Sequence, residues 1–191
     1  SERPKRIVTV SNVAYFKRQW LIVEALGLLR SDTDLAGLTY HIVGHCDERD
    51  LQDLSDVAER VGVSQQIKIE GRVSDDRVEE LLSTSSLFTL MSVCESFGIP
   101  AVEAMSFGTP VVTSDCCAMP EVCGNAAELV PEDDPAALAE AIRRIFRDPQ
   151  RRQNMIDQGF ENIRRFSWRE IASNLARECD AIAAARQSPA G

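Results

Sequence analysis

Short apolar runs alternate with amphipathic stretches along most of this chain, and that alternation limits the possible folds more than any other feature. The runs at 6–11 (RIVTVS), 38–44 (LTYHIVG), 66–71 (QIKIEG), 87–93 (LFTLMSV), 110–114 (PVVTS) and 126–130 (AAELV) are short and mostly rich in β-branched residues, which predicts strands. Between them, 18–29, 51–61, 74–82 and 99–107 carry apolar residues at helical spacing, with Leu21, Ile22, Ala25, Leu28 and Leu29 sharing one face of the first. Ser74 opens the third of these helices with Asp75 and Asp76 in its first turn, where the helix dipole favours acids. From residue 134 onward the pattern predicts helices at 135–146, 150–166 and 168–186, the last introduced by a capping box of Ser167 and Glu170. Apolar strands separated by helices must be covered on both faces, so the expectation is an α/β fold around a parallel sheet of about six strands. Residues 1–166 read as one ligand-binding domain and 167–191 as a C-terminal helix with a frayed tail. No repeat, low-complexity segment or linker divides the chain.

Composition narrows the function. The chain has 191 residues, is 44% hydrophobic and carries a net charge of −9. That charge repels polyphosphate and argues against a nucleic-acid partner, while leaving room for a local anion pocket. No apolar run reaches the roughly 18 residues needed to span a bilayer, and the start, SERPKRIVTV, has no signal-peptide pattern. It reads as a domain entered mid-gene. The six cysteines form no C-x-x-C pair and are expected as reduced, mostly buried thiols of a cytoplasmic protein, without a metal or disulfide framework. His41 is expected to pack within a strand. His45, at a strand end, has no carboxylate or cysteine partner to complete a metal or triad pattern.

In a parallel sheet of this kind, ligands bind outside the carboxyl ends of the strands. Three such ends stand out. After the first strand, Lys17 and Arg18 precede a helix start, where a helix disfavours cations unless an anion sits between; a solvated basic pair is the other reading. After the third, Gly71 permits a tight turn, and the backbone near Val73 either faces a planar group or simply leads into the Ser74 cap. After the fourth comes CESFGIPAVEAMSFGTP, Cys94 to Pro110. Pro100 suits a first helical turn, Gly98 lets backbone approach a ligand closely, and the amides of Phe97, Gly98 and Ile99 point into the crevice. Glu95 and Glu103 offer carboxylates to adjacent hydroxyls; alone, each also reads as an ordinary loop or helix acid. The arginines at 143, 144, 147, 151 and 152 form a basic run, expected as a solvated face balanced by Glu140 and Asp148, or as a peripheral membrane contact.

The stretch E-S-F-G-I-P-A-V-E-A-M-S-F-G-T-P-V-V closely resembles the E-x7-E signature of the group 1 (family 4) glycosyltransferases. The segments IVG at 42–44, GRVSDD at 71–76, TSD at 113–115, PEVCGNAAELV at 120–130 and DDPAALAEAI at 133–142 follow in that family's order, so the resemblance covers roughly residues 6 to 166. It implies the C-terminal, donor-binding half of a GT-B enzyme, a Rossmann-like parallel sheet of about six strands with helices on both faces. By the same resemblance, Glu95 contacts the transferred sugar and is the catalytic residue, and Glu103 accepts the ribose hydroxyls. The backbone of Phe97, Gly98 and Ile99 meets sugar and diphosphate, backbone near Val73 faces the base, and Lys17 or Arg18 stabilises the diphosphate. Where the family usually has an arginine after the first strand, this sequence has Asn12, which by the resemblance belongs to the donor-binding set. The implied activity is transfer of a sugar from a nucleotide-diphosphate sugar with retention of configuration, without cofactor or metal. The implied partners are an amino-terminal GT-B half, without which the domain is inactive, and an acceptor sugar or lipid-linked glycan, with work at the inner face of the membrane. A non-catalytic nucleotide-sugar-binding module and a GT-B sugar-nucleotide epimerase are the alternatives; a nicotinamide dehydrogenase is disfavoured by the absence of G-x-G-x-x-G after the first strand. The apolar stripe of Trp168, Ile171, Leu175 and Ile182 is expected to cross to the other half.

Overall fold

The structure, a computed structural model, describes residues 3–187 and, in the last helix, side chains up to residue 183 apart from Trp168 and Glu170. Six strands, β1 (Arg6–Val10), β2 (Thr39–Val43), β3 (Ile67–Gly71), β4 (Leu87–Leu90), β5 (Val111–Ser114) and β6 (Ala127–Val130), form one parallel sheet in the order β3-β2-β1-β4-β5-β6. The helices are α1 (Gln19–Leu29), α2 (Glu48–Val61), α3 (Asp75–Thr84), α4 (Ile99–Ser106), α5 (Met119–Cys123), α6 (Pro135–Arg147), α7 (Pro149–Ile163) and α8 (Trp168–Gln187).

Successive strand side chains point to opposite faces and feed two cores. Ile7, Tyr40, Ile42, Leu87 and Val112 pack with α1, α2 and α6, whereas Val8, Val43, Phe88, Leu90 and Val111 pack with α3, α4 and α5. The central strands β4 and β5 are buried at every residue, and the edge strand β3 keeps Lys68 and Ile69 exposed. One buried polar chain crosses the sheet. Tyr40 Oη donates to Thr9 Oγ1 at 2.9 Å, and Thr9 Oγ1 donates to the Thr89 carbonyl at 2.6 Å. Complete burial pushes the Tyr40 phenol well above its usual range. Asp47, Ser74, Asp134 and Asp148 cap α2, α3, α6 and α7, each accepting from the amide three residues on.

Several expectations change. The fourth strand ends at Leu90 rather than Val93, because the Val93 amide leaves the ladder to bond the Phe16 carbonyl at 2.9 Å. The short helix α5 and the 3₁₀ turns at Tyr15–Lys17, Thr33–Leu35, Ser64–Gln66, Gly124–Ala126 and Arg164–Phe166 had no periodicity long enough to read. The cysteines are free but not mostly buried: Cys123 is buried, Cys46 and Cys116 are half-buried, and Cys94, Cys117 and Cys179 are exposed, since most of them lie in loops or on α8. The basic run is not balanced only within itself. Arg143 bonds Asp32 at 2.6 Å as well as Glu140, Arg147 bonds Asp34 at 2.6 Å, and Arg144 and Arg151 (2.9 Å) both hold Glu128, whose side chain is 9% exposed. Asp148 serves instead as the cap of α7. These arginines tie α6 and α7 to the chain around α1 and β6.

Ile171, Leu175 and Ile182 on α8 are exposed. The Trp168 side chain, the Ser167–Glu170 capping box and the tail from residue 188 lie outside the described residues. Among the described residues no helix is long and apolar enough to cross a membrane.

Two predictions follow from local chemistry. Gly44 has φ of +141°, and a Cβ there would stand 2.3 Å from the Ser11 carbonyl oxygen. Gly44→Ala should destabilise the chain by about 2 kcal/mol or more, read as a lower urea midpoint. On β2, His41 Nδ1–H donates to Glu70 at 2.6 Å, and Arg77 grips the same carboxylate at 3.2 Å. His41 is thus a half-buried network member rather than a packing residue. Burial holds its pKa below the ordinary 6.5. The unfolded chain therefore takes up a proton that the folded one refuses, so stability present above pH 6.5 is lost as pH falls below it. Burial alone would raise Glu70, but its bonds to His41 and Arg77 hold it below the ordinary 4.5, which adds a loss of the same sign at lower pH. The urea midpoint should fall between pH 7 and 5, and His41→Asn should flatten that fall.

Candidate functional site

The strand order reverses between β1 and β4. Their crossovers leave in opposite directions and open a crevice at the carboxyl ends of the two strands. The segment 11–18 forms one wall and 91–98 the other. They are joined directly: the Phe16 carbonyl accepts from the Val93 amide at 2.9 Å and from Ser92 Oγ at 3.3 Å.

Across this crevice Lys17 Nζ donates to Glu95 Oε1. The side chains are 18% and 12% exposed, so the pair is largely shielded yet open on one side. The ammonium also stands 5.4 Å from the Phe16 ring centroid. Each ion compensates the other. A ligand that offers an anion to Lys17 and hydroxyls to Glu95 can replace both halves of the pair without stranding a charge.

Arg18, the second cation after β1, is committed elsewhere. Its backbone is left-handed (φ +51°), its Nη1 donates to the Glu132 carbonyl at 2.6 Å, and its guanidinium lies 6.0 Å from the Trp20 ring centroid. Of the two basic residues, Lys17 faces Glu95 and Arg18 fastens the loop to the end of β6. Asn12 is exposed and joins the first two loops, its Oδ1 accepting from the His45 amide at 3.0 Å.

Below Glu95 the chain turns into α4 at Gly98. Gly98 is left-handed (φ +77°), and a Cβ there would press 2.5 Å from Met119 Sδ. Only glycine gives this turn and lets the chain pack so closely on α5. Pro100 occupies the first turn. Among the described residues the amides of Phe97, Gly98 and Ile99 find no backbone carbonyl, so the amino end of α4 presents unpaired donors beside Glu95. Glu103 is exposed on α4, one turn after Ile99. With Phe97, Ile99, Val102, Phe166 and Ile171 it lines an apolar cavity of about 390 Å³. The Phe97 and Phe166 rings meet edge to face, centroids 5.3 Å apart. Val73 is half-buried after β3 and packs against the core that holds Val43, Leu81 and Phe88, two strand spacings or roughly 10 Å from β1. The structure therefore joins Lys17 to Glu95 on the loop that leads into α4, sets Glu103 with Phe97 and Ile99 around the adjoining cavity, and places Val73 beyond β3.

Gln19 could not be picked out from the sequence. It is 1% exposed in the first turn of α1, and its Nε2 donates to Ser11 Oγ at 3.0 Å and to the Asn12 carbonyl at 2.9 Å. It folds back to hold the loop that carries Lys17. A glutamine at a helix start has no sequence signature, because its burial depends on the returning loop. Among the described residues no group of three His, Cys, Asp or Glu side chains is placed to hold a metal.

The Rossmann-like sheet thus carries a cation, a carboxylate and free helix amides at its switch point. The model for glycosyl transferases group 1 matches residues 1–162, and the chain belongs to that family. It is 34% identical over 145 residues to a phosphatidyl-myo-inositol mannosyltransferase of Mycobacterium leprae, covering 74% of this chain and 37% of that protein. It is 30% identical over 161 residues to D-inositol 3-phosphate glycosyltransferase 1 of Catenulispora acidiphila, covering 81% of this chain and 38% of that protein. Among solved structures, Anabaena HepE in complex with UDP and glucose superposes with a TM-score of 0.83 at 21% identity, over 94% of this chain and 49% of its own; that likeness is one of fold. The chain spans less than half the length of each.

Gln19→Ala should lower stability by about 1–3 kcal/mol through the lost bonds to the loop and speed amide exchange at residues 11–13, measured by mass spectrometry.

Proposed function

We propose that this chain binds a nucleotide-diphosphate sugar in the crevice between β1 and β4 and forms the donor-binding half of a retaining glycosyltransferase. The observation that carries this reading is the Lys17–Glu95 pair beside the free amides of α4. Sugar transfer from such a donor leaves a diphosphate whose charge grows as the glycosidic bond breaks. Lys17 and the α4 amides oppose that charge, which favours the transition state over the bound substrate. Glu95, released from Lys17 by the incoming diphosphate, accepts hydroxyls of the transferred sugar and fixes its orientation. Glu103 takes the ribose hydroxyls, the backbone near Val73 faces the base, and Asn12 and Arg18 shape the loop rather than contacting the diphosphate. An amino-terminal half closes over this face with the acceptor, and the exposed stripe of α8 packs against it. The relatives' names make inositol-bearing or glycan acceptors the first to try.

A second reading, a nucleotide-sugar-binding module without transfer, is favoured by Asn12, which by the resemblance stands where the family pattern has arginine.

Calorimetry against UDP-, GDP- and ADP-sugars tests the first claim. One of them should bind, and Lys17→Ala should weaken it by about tenfold or more, since a bond to a charged group is worth about 1.5–3 kcal/mol, while binding of the bare nucleoside stays unchanged. Failure of all three to bind a folded chain overturns the reading. Transfer by the protein with both halves, abolished in Glu95→Gln, separates enzyme from module.

A further inference from the structure

The loop that carries Glu95 is held from outside by thiols. Beyond Leu90 it has left the sheet, and its carbonyls are bonded by the end of β5 and the chain that follows it. Ser114 Oγ donates to the Ser92 carbonyl at 2.6 Å, Cys116 Sγ donates to the same oxygen at 3.2 Å, and Cys117 Sγ donates to the Val93 carbonyl at 3.2 Å. Two consecutive thiols thus close on two consecutive carbonyls, the second of them two residues before Glu95.

The thiols around this loop differ in access. Cys117 is exposed, and its backbone is left-handed (φ +52°), a conformation that a residue with a Cβ seldom adopts. This backbone aims an accessible thiol at the loop carbonyl. Cys94, inside the loop, is also exposed, whereas Cys116 is half-buried. Burial first, and then Glu132, pushes the Cys116 thiol up to about 11, and burial pushes Cys123 to about 12, so neither readily supplies a thiolate.

We propose that Cys117 is a site of thiol–disulfide exchange, through which a small-molecule disulfide loosens the Glu95 loop and weakens ligand binding in the crevice. The binding part rests on the nucleotide-sugar reading above. The Cys117 thiolate attacks one sulfur of a disulfide such as oxidised glutathione. A new S–S bond forms, the original one breaks, and the departing glutathione thiolate takes up the proton that Cys117 gave to solvent. The S–H bond to Val93 is lost, and a bulky group occupies its place between the two loops. Cys116 and Ser114 still hold Ser92, so the effect is confined to the segment leading to Glu95.

The test treats this chain with oxidised glutathione in a Cys94→Ser, Cys179→Ser background. It then maps the adduct by peptide mass spectrometry, follows amide exchange over residues 92–98, and titrates UDP and GDP before and after, with dithiothreitol reversal. The expected result is a mixed disulfide on Cys117, faster exchange at 92–98, and a Kd for the bound nucleotide raised by about three- to tenfold, in line with loss of one hydrogen bond. Cys117→Ser in the same background keeps a donor for Val93, so it should show the untreated exchange rate and no response to glutathione. An adduct that avoids Cys117, or one on Cys117 that leaves exchange at 92–98 unchanged, overturns the inference. If exchange responds but neither nucleotide binds the reduced chain, the loosening of the loop stands and the nucleotide reading falls.

Discussion

The pairing of β1 with β4, Ile7 opposite Leu87 and Val8 opposite Phe88, is the contact on which the site depends. It joins the two halves of the sheet at the place where strand order reverses, so the segments leaving β1 and β4 have to run side by side. Side chains continue the joint past the last ladder pair. Thr9 reaches the Thr89 carbonyl, and Tyr40 on β2 supports Thr9 from the next strand. Beyond them the Phe16 carbonyl takes the Val93 amide. Each is a modest interaction in net terms, but leaving one of these buried groups unpaired would be costly. Slippage between β1 and β4 is therefore opposed by buried polar atoms as well as by the two apolar cores.

Charge in this molecule is arranged locally rather than in bulk. The chain is acidic overall, yet its crevice sets a lysine against a glutamate in a shielded spot. The other prominent cations are occupied: Arg18 by the Glu132 carbonyl, and Arg143, Arg144, Arg147 and Arg151 by Asp32, Asp34 and Glu128. Among the described residues Lys17 donates to Glu95 alone. On the function proposed above, that suits the crevice to a small ligand carrying both an anion and hydroxyls rather than to a polyanion.

Much of the fold was legible because its signals are local. Short runs, mostly rich in β-branched residues, marked all six strands, and the caps Ser74 and Asp134 lie within a residue of the helix starts drawn from periodicity. What escaped were elements too short for a period, such as α5, and the true end of β4, which depends on a partner at Phe16 far away in sequence. The stretch from Glu95 to Glu103 was legible as a resemblance to the family that the chain belongs to. The roles of Lys17 and Arg18 were not separable in sequence, as two adjacent basic residues look alike until one side chain finds a carbonyl and the other a carboxylate. Gln19, Met119 and the two thiols at Cys116 and Cys117 carried no signal, because their parts are played against segments distant in the chain.

By itself the sequence determined the alternating α/β order, the membership of the group 1 glycosyltransferase family and the residue types available near the strand ends, since these depend on local periodicity and short-range spacing. The tertiary structure alone decided which of those residues meet. Lys17 and Glu95 are 78 positions apart, and only the reversal of strand order between β1 and β4 brings them within one hydrogen bond.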